Sequence, residues 1–247
     1  MPARRFFVEG VRAPGARVEI GGSDARKIVR VLRLNDGDEI EVVDSAGTLF
    51  AATIAIEGAL VRASLAEAAV RDQTLERGLA VDLAQALPKG SKMDFVVEKA
   101  TELGARAILP FRSERTLAGD AGDAKLERWR RLAKTAAQQC GRLRVPEVDA
   151  TRSFDALLTR FSDYDAVLFA WELAPHERLR DRLPKLLGGA RRALVAIGPE
   201  GGFTHEEAEG ARARGAELLW MGPRILRTET AAMALLAIVD AFAELPV

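Results

Sequence analysis

The sequence predicts an α/β protein in two parts, a small N-terminal β-barrel and a larger domain built on a mainly parallel sheet. Three observations predict it. The first 70 residues hold short strand-like segments separated by close turn signals. From residue 79 onward, apolar strand-like runs alternate with helical periods. Near the C-terminus, two Gly/Pro-rich loops each follow a short apolar run.

In the first part, strands are expected at residues 5–8, 17–20, 39–44, 48–55 and 60–65. Asn35-Asp36-Gly37-Asp38 and Ser45-Ala46-Gly47 are the turn signals between them, and short strands with close turns suit a small barrel. Ser23 is placed to cap a helical turn through Lys27, Arg30 and Val31, which presents Arg26, Arg30 and Arg33 as a basic ridge. Residues 67–78 (EAAVRDQTLERG) are polar and lack alternation. That places a boundary near Asp72 and gives domains of 1–72 and 73–247.

Beyond it, strand-like runs at 79–84, 107–110, 166–170, 193–197 and 218–221 alternate with helices. In the first helix, Ser91 and Asp94 form a capping box, Met93, Val96, Val97, Ala100 and Leu103 make the apolar stripe, and Gly104 ends it. The second covers 124–140, with Leu126, Trp129, Leu132, Ala133 and Ala136 inward. A third opens at Thr204, with Glu207 completing a capping box, and closes at Gly215. The last starts near Glu229 and carries Leu235, Leu236, Ile238, Val239 and Phe242. Its apolar face fits either an intrachain core or a subunit interface.

At 247 residues, 48% hydrophobic and 29% charged, the chain can bury a large core. No run approaches the roughly 18 apolar residues of a membrane helix, and Met1-Pro2-Ala3-Arg4-Arg5 leads into no apolar secretion core, so a cytoplasmic location is expected. Cys140 alone closes no internal disulfide, and His176 and His205 form no ligand cluster, so no metal is expected. The formal net charge of zero conceals segregation. Residues 1–33 hold eight Arg/Lys against three acids, 34–70 hold Arg62 against seven acids, and 125–144 hold seven Arg/Lys against Glu127. Such basic runs are either solvated faces or phosphate-binding patches. No G-x-G-x-x-G follows the first strand of the larger domain and no G-x-x-x-x-G-K-[ST] occurs, which weakens dinucleotide and nucleotide-hydrolase readings.

The two loops read Gly198-Pro199-Glu200-Gly201-Gly202-Phe203 and Gly222-Pro223-Arg224-Ile225-Leu226-Arg227-Thr228-Glu229-Thr230-Ala231. Glycine lets a backbone turn sharply and lets its amides approach a ligand closely. In this order the two runs resemble the signature of the RsmE-type 16S rRNA (uracil-N3)-methyltransferases of the SPOUT superfamily. Residues 83–90 (LAQALPKG), 98–104 (EKATELG), 137–142 (AQQCGR), 4–8 (RRFFV) and 31–34 (VLRL) extend the likeness. Members of that family commonly carry a histidine near Ala25 or Arg26; this chain has none there, so no RNA contact of that kind carries over.

The resemblance implies a C-terminal SPOUT domain whose mainly parallel sheet is threaded into a trefoil knot, a rare exception to the rule against knots, and an N-terminal PUA-like β-barrel that binds RNA. It implies a homodimer that uses S-adenosylmethionine to methylate N3 of a specific uridine in the decoding region of 16S rRNA in the small ribosomal subunit. It carries cofactor binding onto Phe169, Ala170, Gly198, Pro199, Glu200, Gly201, Met221, Gly222, Ile225, Leu226 and Arg227. From the residues alone, Met221, Ile225 and Leu226 suit either an adenine or a core. Uracil N3 is protonated at neutral pH, so the reaction asks for a base and a cation. Arg227 is the candidate for the uracil anion, and Glu229 or Glu200 for the base. Glu229 equally suits a helix N-terminus, and Glu200 a brace for its loop. Arg4, Arg5, Arg26, Arg30, Arg33, Lys89, Lys92, Arg142 and Arg144 are candidates to grip phosphates. The rivals are an enzyme of the same class acting on a ribose 2'-hydroxyl and a non-catalytic ribosome-assembly factor.

Overall fold

The computed structural model describes residues 4–58, 60–70, 78–119 and 121–243, and for 67–70 only the backbone. Two units divide the chain: residues 1–76 with 137–144, and residues 77–136 with 145–247. The boundary expected near Asp72 lies outside the described residues.

The first unit is a five-stranded sheet of β1 (Arg5–Phe7), β2 (Arg17–Ile20), β3 (Glu39–Val43), β4 (Leu49–Glu57) and β5 (Leu60–Val70), in the order β1-β3-β4-β5-β2. β1 runs parallel to β3 and the other ladders are antiparallel. Alternate residues of these strands, Ile40 and Val42, Phe50, Ala52 and Ile54, Val61, Ala63 and Leu65, meet Phe6 in one core, as the two-residue period requires. The short helix α1 (Gly22–Arg26) runs into a π-helical turn at Lys27–Val31. Ser23 does not cap it. Gly22 takes φ +60 and the helix starts there, with Gly21 as its N-cap, leaving Ser23 inside the first turn.

The second unit is a seven-stranded parallel sheet. Its strands are β6 (Ala80–Ala86), β7 (Ala107–Arg112), β8 (Glu147–Val148), β9 (Arg152–Ser153), β10 (Ala166–Ala170), β11 (Arg192–Ile197) and β12 (Ala216–Leu219). They lie in the order β12-β10-β11-β6-β7-β8, with β9 also on β7. The helices are α2 (Lys92–Glu102), α3 (Asp123–Cys140), α4 (Phe154–Leu158), α5 (Leu179–Leu187), α6 (His205–Ala213) and α7 (Thr228–Ala243), the last turn of α3 belonging to the first unit. A parallel sheet needs cover on both faces. Leu83, Leu168, Val195 and Ile197 pack under α2, α3, α5 and α7, while Ala84, Ala86, Val167, Phe169, Leu194 and Ala196 pack with α4 and α6.

Leu235, Leu236 and Val239 of α7 are buried in the first of these cores, with Ile238 and Phe242 half-buried against it. The intrachain reading therefore holds for that stripe. The box at Thr204 is complete: its hydroxyl accepts from Glu207 N and the Glu207 carboxylate accepts from Thr204 N. The box at Ser91 is not made. Asp94 turns its carboxylate to Arg128 and to Trp129 Nε1, 3.1 Å away, on α3. The strand expected at 218–221 starts two residues earlier, directly after Gly215 at φ +89, and ends at Leu219, which leaves Trp220 and Met221 outside the sheet. α4 and α5 were not foreseen; α4 spans five residues and α5 carries Pro184 inside it.

Candidate functional site

Three neighbouring parallel strands, β12, β10 and β11, end side by side, so the chain leaving each must share the same space. That space is a cleft of about 870 Å³ lined by residues 170–173 and 176 after β10, 197–203 after β11, and 220–228 with Ala231 after β12. The carboxyl ends of parallel strands are where α/β sheets take ligands.

The loop after β11 is braced throughout. Thr228 Oγ1 donates to Gly198 O at 2.6 Å, and Gln85 Nε2 donates to Thr228 Oγ1 at 2.8 Å and to Ala86 O at 2.9 Å. Arg115 Nη1 donates to Gly201 O at 3.0 Å, and Gly202, at φ +67, donates its N–H to Pro199 O. The Glu200 carboxylate accepts from Lys89 N at 3.0 Å and from Lys92 Nζ at 2.9 Å, and Lys92 Nζ also lies 3.5 Å from Glu229. Burial works against the Glu200 charge, but the Lys92 and backbone hydrogen bonds outweigh it and hold the carboxyl below the usual range. The same Glu200 bond holds the Lys92 ammonium above its usual range. Glu200 is thus an ionised but committed carboxylate and a weak proton acceptor.

The loop after β12 is open. Ile225 is 93% exposed, Gly222 takes φ +106, and a Cβ built on Gly222 would meet no protein atom within 4 Å. Among the described residues the Arg224 and Arg227 side chains carry no hydrogen bond or ion pair. The third wall is aromatic: His176 stacks on Trp220 at 4.4 Å, and Trp171 Nε1 is buried with no partner.

Ala170, Gly198, Pro199, Glu200, Gly201, Met221, Gly222, Ile225, Leu226 and Arg227 all line the cleft. Phe169 does not. Its ring is buried against Phe203 at 4.0 Å, because alternation along β10 puts its side chain into the core beneath α4 and α6. Glu229 also lies off the cleft lining, with its carboxylate beside Lys92. Gln85, Thr228, Trp171, Glu172 and His176 are not among the candidate site residues of the sequence analysis. A glutamine inside the apolar run of β6 was one available signal. For the other wall, it was the position of 171–176 directly after a parallel strand, like the two glycine loops.

Residues 75–240 match the RNA methyltransferase domain family, and residues 20–59 match the RNA methyltransferase PUA domain. The ribosomal RNA small subunit methyltransferase E of Bacillus subtilis is 32% identical over 98% of both chains. The chain belongs to the ribosomal RNA small subunit methyltransferase E family. The Synechocystis member is 34% identical, covering 98% of this chain and 78% of its own. The Neisseria gonorrhoeae member, solved bound to S-adenosyl methionine, superposes with a TM-score of 0.84 at 28% identity over 98% of this chain and 97% of its own. A Legionella pneumophila structure solved with its bound cofactor SAM gives a TM-score of 0.87, also at 28% identity, over 98% of each chain.

The cations read as phosphate contacts divide in two. Arg4, Arg26, Arg30, Arg33 and Arg144 of the first unit and Lys89 of the second are exposed. Arg5, Arg142 and Lys92 are corrections. Arg5 pairs with Glu41 at 2.8 Å and donates to the carbonyls of Gly141 and Arg142, Arg142 is buried, and Lys92 is spent on its two glutamates. Arg5 and Lys92 are each satisfied by partners distant in sequence. Among the described residues no helix is long and apolar enough to cross a membrane, and no group of three or more His, Cys, Asp or Glu is placed to hold a metal ion.

Proposed function

We propose that the protein methylates N3 of a specific uridine in the decoding region of 16S rRNA in the small ribosomal subunit, using S-adenosylmethionine, as a cytoplasmic homodimer. The observation that carries this reading is the convergence of both glycine loops on one cleft in which Arg227 stands uncommitted. The residues present suit the cofactor. Met221, Ile225 and Leu226 offer apolar surface to an adenine, and Gly222 leaves its backbone bare. Ala170, Gly198, Pro199, Glu200, Gly201 and Arg227 complete the cradle.

Bound there, S-adenosylmethionine supplies an activated methyl group on a sulfonium leaving group. The chain's task is to deliver an ionised N3 in line with it. Arg227 holds the developing uracil anion, and a guanidinium beside that anion lowers the cost of ionisation. Glu200 is committed to Lys92, so we assign it to bracing. Glu229, whose buried Oε2 has no hydrogen-bond partner and lies 3.5 Å from Lys92, remains the base that takes the N3 proton through water. Arg26, Arg30 and Arg33, with Arg4, Arg144 and Lys89, grip phosphates, while the target base leaves its stack at a cost of a few kcal/mol.

The trefoil knot belongs to the same reading. Residues 220–227 connect the edge strand β12 to α7, which packs on α2, β11 and β6. The homodimer is supported by exposed Phe95 on α2 and half-exposed Met233 on α7. The test is methyl transfer from labelled S-adenosylmethionine to small subunits lacking the modification, followed by nucleoside analysis. A 3-methyluridine product is expected. Another methylated nucleoside overturns the atom assignment, and unlabelled rRNA despite cofactor binding overturns the catalytic reading.

A further inference from the structure

We infer that Glu172 anchors the α-ammonium group of the cofactor's methionine tail, an inference that rests on the proposed use of S-adenosylmethionine. Glu172 follows β10 and lines the cleft. Its carboxylate lies on the bare backbone of the first glycine loop: a Cβ built on Gly202 would run into Glu172 Oε1 and come within 3.1 Å of its Cδ. Only a residue without a side chain at 202 leaves the carboxylate this seat. Two acids line the cleft. Glu200 is spent on Lys92, whereas Glu172 makes no hydrogen bond or ion pair among the described residues. The cleft's arginines, Arg224 and Arg227, do not pair with it.

A cleft carboxylate with no partner of its own, which the cleft's two arginines leave unpaired, suits a cationic ligand group. The cofactor offers two, a sulfonium and an ammonium. The ammonium has N–H donors and the sulfonium has none, so only the ammonium makes a charge-assisted hydrogen bond. A ribose diol is neutral and gains less from a full negative charge. With the adenine on the apolar second loop, the tail falls to the first loop, where Glu172 sits.

Calorimetric titration of wild type and Glu172→Gln with three ligands tests this: S-adenosylmethionine, S-adenosylhomocysteine, and 5'-methylthioadenosine, which keeps adenine and ribose but lacks the tail. The variant is expected to lose about tenfold in affinity for the first two, the scale of one charged hydrogen bond. It should bind 5'-methylthioadenosine as wild type does, which also reports an intact fold. An equal loss for all three ligands overturns the anchor and puts the carboxylate on the nucleoside. Unchanged binding of all three overturns it outright. Wild-type protein that binds none of them overturns the cofactor reading itself, and the anchor with it.

Discussion

The loop after β11 is held at its start by Thr228, in its middle by Lys89 and Lys92, and at its end by Arg115 and the Thr204 cap. The loop after β12 has only its last turn fixed, where Ala231 N donates to Arg227 O at the start of α7. Both loops are rich in glycine, yet one is a finished surface and the other carries Ile225 at 93% exposure with two free arginines. Glycine alone does not make a loop mobile; the partners of its carbonyls and carboxylates decide. In the proposed reaction the first loop is a preorganised floor, and the second is ordered by the cofactor it holds.

Breaking the open side should cost the most in chemistry. Arg227→Ala is expected to lower turnover by about 10²–10³-fold, the scale of one lost anion-stabilising donor, with a far smaller loss of cofactor affinity and an unchanged melting temperature. Single-turnover methyl transfer beside calorimetry checks it, and loss of affinity in step with turnover would move Arg227 to cofactor binding. Breaking the braced side should cost stability first. Thr228→Val removes the donor to Gly198 O and leaves Gln85 Nε2 only its bond to Ala86 O, and is expected to remove about 1–3 kcal/mol, read by urea denaturation, with weaker cofactor binding in parallel. Gly202→Ala forces a side chain into φ +67 and against Glu172, with an expected loss of about 1–2 kcal/mol.

Protonation sharpens the contrast further. Glu200 is held below the ordinary carboxylate range, so its charge favours the folded chain above that range. The contribution drains away as pH falls through the lowered value. Wild type should therefore melt higher than Glu200→Gln at neutral pH, with the gap narrowing below roughly pH 4; a constant gap would deny Glu200 that role. The smallest effect belongs to the open loop. Ile225→Ser should change stability by no more than about 0.5 kcal/mol, as an exposed substitution does, while weakening cofactor binding.

What was legible in the sequence was local. The Thr204 and Glu207 box, the stop at Gly104 and the strand 166–170 each depend on residues within one turn or one strand, and each forms. The two glycine loops were legible for the same reason, and parallel neighbouring strands then bring them together. What stayed hidden was the competition between distant groups. Asp94 was read as a cap, but Arg128 and Trp129, 34 and 35 residues away, claim its carboxylate. Arg5 and Arg142 read as surface cations, but the segment just after α3 belongs to the first unit, where Arg142 is buried and the Gly141 and Arg142 carbonyls accept from Arg5. Gln85 and Thr228, 143 residues apart, meet only once the sheet is assembled.

The unequal loops are tested most directly by amide hydrogen exchange at residues 198–204 and 220–227, with and without S-adenosylmethionine. Amides of the first loop should exchange slowly in both conditions, and those of the second should exchange fast alone and slow sharply on binding. Equal exchange in the two loops without cofactor, or protection gained at 198–204 while 220–227 stays unchanged, would contradict the account.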